Sequence, residues 1–144
     1  MALSSLHEAA QADYVGVIRP RLSKLDRARA IAKAFAQLGK PYDFEFDFLT
    51  QSTLVCSEVV YLAYLPEKGQ QAGLQLPLEE VMGGFALPPT NMIKLFDTQF
   101  GTPAQQFDFV AFLDGRESTG TAVVATEADL RASWKRPKWD LAQQ

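Results

Sequence analysis

The stretch from Leu54 to Leu65 is apolar on all sides, so whatever it forms has to be buried. Its length is far short of the roughly 20 residues that cross a bilayer. Periodicity alone leaves helix and strand open. A polar turn, Thr50 to Thr53, precedes it, and Pro66 begins a loop that runs to Gly73. The chain's single cysteine, Cys56, sits where the polar turn gives way to the apolar segment.

The elements around this segment read as a mixture of helix and strand. Leu3 to Ala10 has helical spacing, and Tyr14 to Ile18 reads as a strand ended by Arg19-Pro20. Ser23 followed by Asp26 resembles a capping box. It opens a helix on which Leu25, Ala28, Ala32, Phe35 and Leu38 share a face, and Gly39 and Pro41 stop it. Tyr42 to Phe48 alternates aromatic and acidic residues, as a half-buried extended segment does. Pro77 to Met82 reads as a short helix ended by Gly83-Gly84, and Pro88-Pro89 breaks the chain again. Asn91 to Phe96 reads as a short helix or strand. Phe107 to Leu113 reads as a strand, with a turn at Asp114-Gly115 and a returning strand at Thr121 to Ala125. Thr126 to Asp129 has the composition of a helix start. With no repeat or linker, residues 1–144 read as one α+β domain.

Bulk properties exclude several function classes. A chain of 144 residues buries a core without staples. The formal charge of −3 argues against a nucleic-acid partner, which needs a basic face. One cysteine allows neither an internal disulfide nor a paired-cysteine zinc site. Met1 to Ser5 lacks the basic and apolar regions of a signal peptide, which leaves the compartment open.

If the segment after Cys56 is a helix, the thiol lies at its N-terminus. There the positive end of the dipole and the free N–H groups stabilise a thiolate and help bind an oxyanion. A lone cysteine is also a common small core residue. Context bears on the choice. Gly39-Lys40-Pro41-Tyr42-Asp43-Phe44 is followed, fourteen residues past Tyr42, by Cys56-Ser57-Glu58-Val59-Val60-Tyr61. This pair of motifs resembles the NlpC/P60 cysteine hydrolases, in which a G-x-P-Y turn precedes a D-C-S-G motif by a similar distance. The variant C-S-E with Y-D-F-x-F is similar to the circularly permuted, YiiX/YebB-like branch, over Arg19 to Tyr64 and more weakly back to Leu3.

The resemblance implies a papain-like α+β fold, with a central helix starting at the cysteine and packed on an antiparallel sheet. It implies hydrolysis of an amide or ester through an acyl-enzyme, with a peptidic or acyl-amide small substrate and no cofactor. Cys56 matches the nucleophile and Tyr42 the tyrosine that lines the site. Ser57 and Glu58 match the motif without having to be catalytic, and Glu58 has a second reading as a helix cap or buried ion-pair partner. Asp43 has a second reading as a turn carboxylate.

In the permuted branch the histidine precedes the cysteine, in a strand well upstream. This chain has one histidine, His7, in a helix- or turn-like context that reads as surface. The expectation is therefore a domain lacking its histidine-bearing segment, or a module that keeps the cleft and has lost its base. A missing segment would expose a sheet edge, which leaves a homodimer or a partner chain open. Two further groups are weaker. Asp43, Glu45 and Asp47 suit a solvated strand face better than a metal site, and Trp134 and Trp139 with Lys135, Arg136 and Lys138 suit a C-terminal clamp better than a ligand stack.

Overall fold

The computed structural model describes residues 1–44, 52–70, 72–81, 84–116 and 119–136. Among them are five helices and five strands. In chain order these are α1 (Leu6–Ala9), β1 (Tyr14–Pro20), α2 (Lys24–Phe35), α3 (Cys56–Tyr64), β2 (Glu79–Val81), β3 (Gly84–Ala86), α4 (Pro89–Gln99), β4 (Phe107–Arg116), β5 (Thr121–Ala125) and α5 (Glu127–Ser133). Every strand pairing is antiparallel. The backbone divides into two compact units, residues 1–3 with 22–89 and residues 4–21 with 90–144. Among the described residues no helix is long and apolar enough to cross a membrane.

The first unit is built on α2 against α3. Ser23 starts α2 as its sequence implies, its Oγ accepting the Asp26 N–H at 3.0 Å. Beyond Phe35 the chain turns through Gly39, whose φ of +87° favours a residue without a Cβ. The orientation of α2 is the reverse of what its apolar periodicity leads one to expect. Leu25, Ala28, Ala32, Phe35 and Leu38 are exposed, and Ala30 on the opposite side is buried. What turns the helix over is polar. Lys33 Nζ lies 2.5 Å from Glu67 Oε1 and reaches the Leu65 carbonyl, and Arg29 donates to the Gln70 carbonyl. These carbonyls belong to the chain just past α3, where no helix supplies partners.

α3 ends at Tyr64 by a device the sequence does not advertise. Leu74 N–H donates to the Tyr64 carbonyl at 2.9 Å, which brings Gly73 onto the helix end. A Cβ on Gly73 would lie 2.4 Å from the Tyr64 oxygen and 2.5 Å from the Pro66 nitrogen. The expected helix over Pro77 to Met82 is instead strand β2, with Glu79 opposite Ala86 and Val81 opposite Gly84. Three exposed residues pairing as a ribbon gain their hydrogen bonds from the partner strand, whereas one isolated helical turn gains almost none.

The second unit is a three-stranded sheet of order β1-β4-β5. β1 runs from Tyr14 opposite Asp114 to Pro20 opposite Phe107, with a bulge between Val17 and Ile18. The strand thus continues through Arg19-Pro20. The expected turn at Asp114-Gly115 is not there, because both residues are paired within β4, opposite Val123 and Ala122. Gly115 N–H donates to the Asp13 carbonyl at 2.8 Å, and a Cβ on Gly115 would sit 2.7 Å from that oxygen. That glycine permits close backbone approach rather than a reversal. Pro89 opens α4 instead of breaking the chain, as the first position of a helix tolerates a residue without an N–H.

α5 starts on a Thr126–Asp129 capping box and packs against β4. Trp134 behind it behaves as the expected clamp, its Nε1–H donating to Asp97 Oδ2 of α4 at 3.1 Å. Arg131 joins the same carboxylate at 3.1 Å and stacks over the Phe100 ring at 4.2 Å. Trp139 and Lys138 lie outside the described residues, as do Glu45 to Phe48 of the expected extended segment and the Gly83 of Gly83-Gly84.

Two measurements test this account. Gly73→Ala should lower the urea midpoint by an amount equivalent to about 1–3 kcal/mol, because the clash is with backbone atoms. Asp97 supplies a pH test. Burial pushes its carboxyl up, but the donors Trp134, Arg131 and Lys135 outweigh this and hold it below the ordinary 3.8. A carboxylate so depressed contributes stability that is full above the unfolded value and is lost as pH falls through the folded one. Asp97→Asn should therefore flatten the fall in stability below about pH 4, as read from urea midpoints across that range.

Candidate functional site

The approach to α3 is set by a short parallel pairing. Leu54 N–H donates to the Pro41 carbonyl at 3.0 Å, and Asp43 N–H donates to the Leu54 carbonyl at 3.2 Å. Tyr42 is bridged to Leu54 between them. The Gly39-to-Phe44 motif is thus laid beside the residue two places before Cys56, although Tyr42 and Leu54 are twelve positions apart in the chain. Leu54 and Val55 are both buried, so the pairing is screened from competing water.

Val55 stays extended, at φ −94° and ψ 161°, and its carbonyl accepts the Val59 N–H at 3.2 Å. Helical geometry begins at Cys56, whose side chain is exposed. Valine is a poor residue for this boundary, since it has no side-chain acceptor for the N–H groups of the first turn. Its side chain accordingly caps none of them. A capping contact runs the other way. Glu58, almost wholly buried at 1% exposure, accepts the Val55 N–H through Oε2 at 3.4 Å.

Among the described residues, the buried polar and charged ones are Asp43, Ser57 and Glu58. All three fall in the two motifs that meet here. Burying polar groups is costly unless they are hydrogen-bonded, so their concentration at one place marks it as unlike an ordinary core. Tyr42 is about half exposed, and its ring meets Phe44 edge-on at 5.0 Å between centroids. An aromatic pair thus stands on the solvent side of the same pairing. Electrostatically, the first turn of α3 favours negative charge through its N–H groups and dipole. The carboxyl of Glu58, within that turn, opposes this when ionised.

The structure thus places Tyr42, Ser57, Glu58 and Cys56 around one helix start. Asp43, a motif residue whose second reading is a turn carboxylate, is buried at 4% exposure. Glu45 and Asp47 of the alternating acidic group lie outside the described residues, and those residues contain no group of three His, Cys, Asp or Glu side chains that could hold a metal ion. His7 lies on the short helix α1 and is exposed. Two contributors were not legible beforehand. Val55 gives no signal as a boundary residue, because it reads as part of the apolar run. Gly73 reads as the end of a loop, and its packing on α3 has no local sequence mark.

Comparison with known proteins bears on what such an arrangement does. The family model described as permuted papain-like amidase enzyme, YaeF/YiiX, C92 family, matches residues 1–126. No curated protein and no solved structure matches the chain.

The cap can be tested by substitution. Glu58→Ala leaves the buried Val55 N–H without its acceptor and should cost about 1–3 kcal/mol by urea denaturation. Glu58→Gln keeps a carbonyl oxygen in reach and should cost clearly less. Equal losses from the two would show that the carboxylate charge, and not the hydrogen bond to Val55, is what matters.

Proposed function

The chain belongs to the permuted papain-like amidase family of the YaeF/YiiX type, and from that premise we propose that it is a thiol-dependent hydrolase with Cys56 as its nucleophile. The observation that carries this reading is the position of Cys56. It is the first residue of α3, it is exposed, and it follows the Leu54 pairing that brings Tyr42 alongside.

In this reading the Cys56 thiolate attacks the carbonyl carbon of an amide or ester. A tetrahedral oxyanion forms, the bond to the amine or alcohol breaks, and the acyl group is left as a thioester on Sγ. Water then attacks the thioester, releasing the acid and restoring the thiol. The N–H groups of the first turn, which the N-cap residue Val55 does not cap, are the groups suited to the oxyanion. Tyr42 lines the site, and its hydroxyl orients the reacting carbonyl. Ser57 and Glu58 support the helix start rather than take part in bond making. The substrate class is a peptidic or acyl-amide small molecule.

The leaving amine needs a proton, which neither a helix dipole nor the thiol supplies in this scheme. His7 is the chain's one histidine and lies exposed on a helix of four residues. That observation favours a second reading, a binding module with a papain-like cleft and a reactive thiol but no base. The two readings part on turnover, not on thiol reactivity.

Cys56→Ala should abolish hydrolysis of any amide or ester the wild type cleaves, with a change in stability within about 0.5 kcal/mol, as for other exposed positions. Iodoacetamide should label Cys56 near neutral pH, and His7→Ala should leave the pH profile of that labelling unchanged. A shift in that profile on removing His7 would make His7 the base. Labelling without detectable turnover would select the binding-module reading.

A further inference from the structure

Phe44 is 82% exposed, although phenylalanine is among the residues most often found inside. Tyr42, two residues earlier, is 47% exposed, and Asp43 between them is buried. The alternation is that of an extended chain, with Asp43 turned inward and both rings turned outward. The Phe44 ring meets that of Tyr42 with the centroids 5.0 Å apart and the planes at 62°. Two rings at such an angle form a corner whose apolar walls are wet.

The direction of the pairing says what that corner stands beside. The bridge between Tyr42 and Leu54 is parallel, so both chains leave it the same way. Phe44 stands two residues beyond the bridge on one chain, and Cys56 two residues beyond it on the other. Asp43 stays tied to the second chain through the Leu54 carbonyl. Val55 is extended and carries Cys56 onward from the bridge. The thiol and the two rings therefore leave one pairing on its solvent side, and all of them belong to the first unit. In the scheme above, the acyl group is attached to Sγ from the first attack until water releases it, whereas the leaving group departs after the first step. A ring beside the thiol can thus hold the acyl group through both steps. Covering the corner with a hydrocarbon group removes water from both rings and from the group itself.

We propose that Phe44, with the ring of Tyr42, is a specificity determinant of the Cys56 site and takes an apolar acyl group. This rests on Cys56 being the nucleophile. It holds for an enzyme and for a module that is acylated once and not released, because the contact is made by the group on Sγ in both.

The test uses p-nitrophenyl acetate, butyrate and hexanoate with the full chain in excess. Release of p-nitrophenolate then reads acylation of the thiol, whether or not turnover follows. Each rate is corrected for that of Cys56→Ala and divided by the rate with glutathione. The corrected rate should rise from acetate to hexanoate by about tenfold or more. Phe44→Ala should lower the hexanoate rate by about tenfold and the acetate rate by far less, since acetate carries almost no hydrocarbon to hold. Phe44→Leu, which keeps an apolar side chain there, should restore much of the preference. The position is exposed, and far-UV circular dichroism with urea midpoints verifies that the fold is kept. A wild type without preference for hexanoate, a preference that survives Phe44→Ala, or an equal loss for acetate and hexanoate would overturn the proposal while leaving the nucleophile in place. Release that Cys56→Ala leaves unchanged would instead overturn the Cys56 reading, and the proposal with it.

Discussion

The two backbone hydrogen bonds that tie Leu54 between Pro41 and Asp43 are the constraint on which the first unit depends. They fix where the extended chain stops and α3 begins. Without them Val55 has no reason to stay extended, because its neighbours are apolar residues equally at ease in a longer helix. With Leu54 held in a parallel bridge to Tyr42, helical geometry is delayed to Cys56. One local pairing therefore decides which residue occupies the first helical position, and it brings an aromatic side chain to the same place. The buried Leu54 and Val55 keep water from competing for those bonds.

The helix start is assembled against ordinary preference, and the departures are of one kind. A serine or aspartate in place of Val55 would satisfy first-turn N–H groups and favour the helix by about 1 kcal/mol. Valine offers those groups no side-chain acceptor, while Glu58 serves the Val55 N–H. The Glu58 contact binds the donor outside the first turn, and the N-cap residue gives none to the donors inside it. Local rules broken in this selective way are expected at functional sites. Under the proposed reading the first-turn N–H groups are the ones an oxyanion uses.

Much of this was legible in the sequence, and the parts that were not have a common cause. Ser23 and Asp26, Thr126 and Asp129, and Gly39 carry local chemistry, and each acts where its residue type implies. The mixed helix and antiparallel sheet class also follows from the sequence, and membership of the C92 family supports its papain-like reading. What failed was the assignment of glycine and proline as breaks. Gly115 sits inside β4 because Asp13 crosses it, and Pro89 starts a helix rather than ending a segment. In both cases a partner distant in sequence, or the position within an element, decides the outcome, and composition at one site contains neither. Pro77 to Met82 failed for the same reason, since β2 exists only as the partner of β3.

The reversal of α2 is the sharpest of these departures, and it follows from what α3 leaves behind. A nine-residue helix that stops at Tyr64 ends in carbonyls with no intrahelical donors. Gly73 and Leu74 return to serve the Tyr64 carbonyl, but those of Leu65 and Gln70 lie further along and need donors from elsewhere. Lys33 and Arg29 supply them, and only the side of α2 that carries these residues can face that loop. Ala30 on the same side is small enough to be buried there without holding the helix off. These side chains are partly exposed, and contacts of that kind contribute about 0.2–1 kcal/mol each. What they determine is therefore which side of α2 faces the loop, by where their donors can reach, rather than how tightly the helix is held.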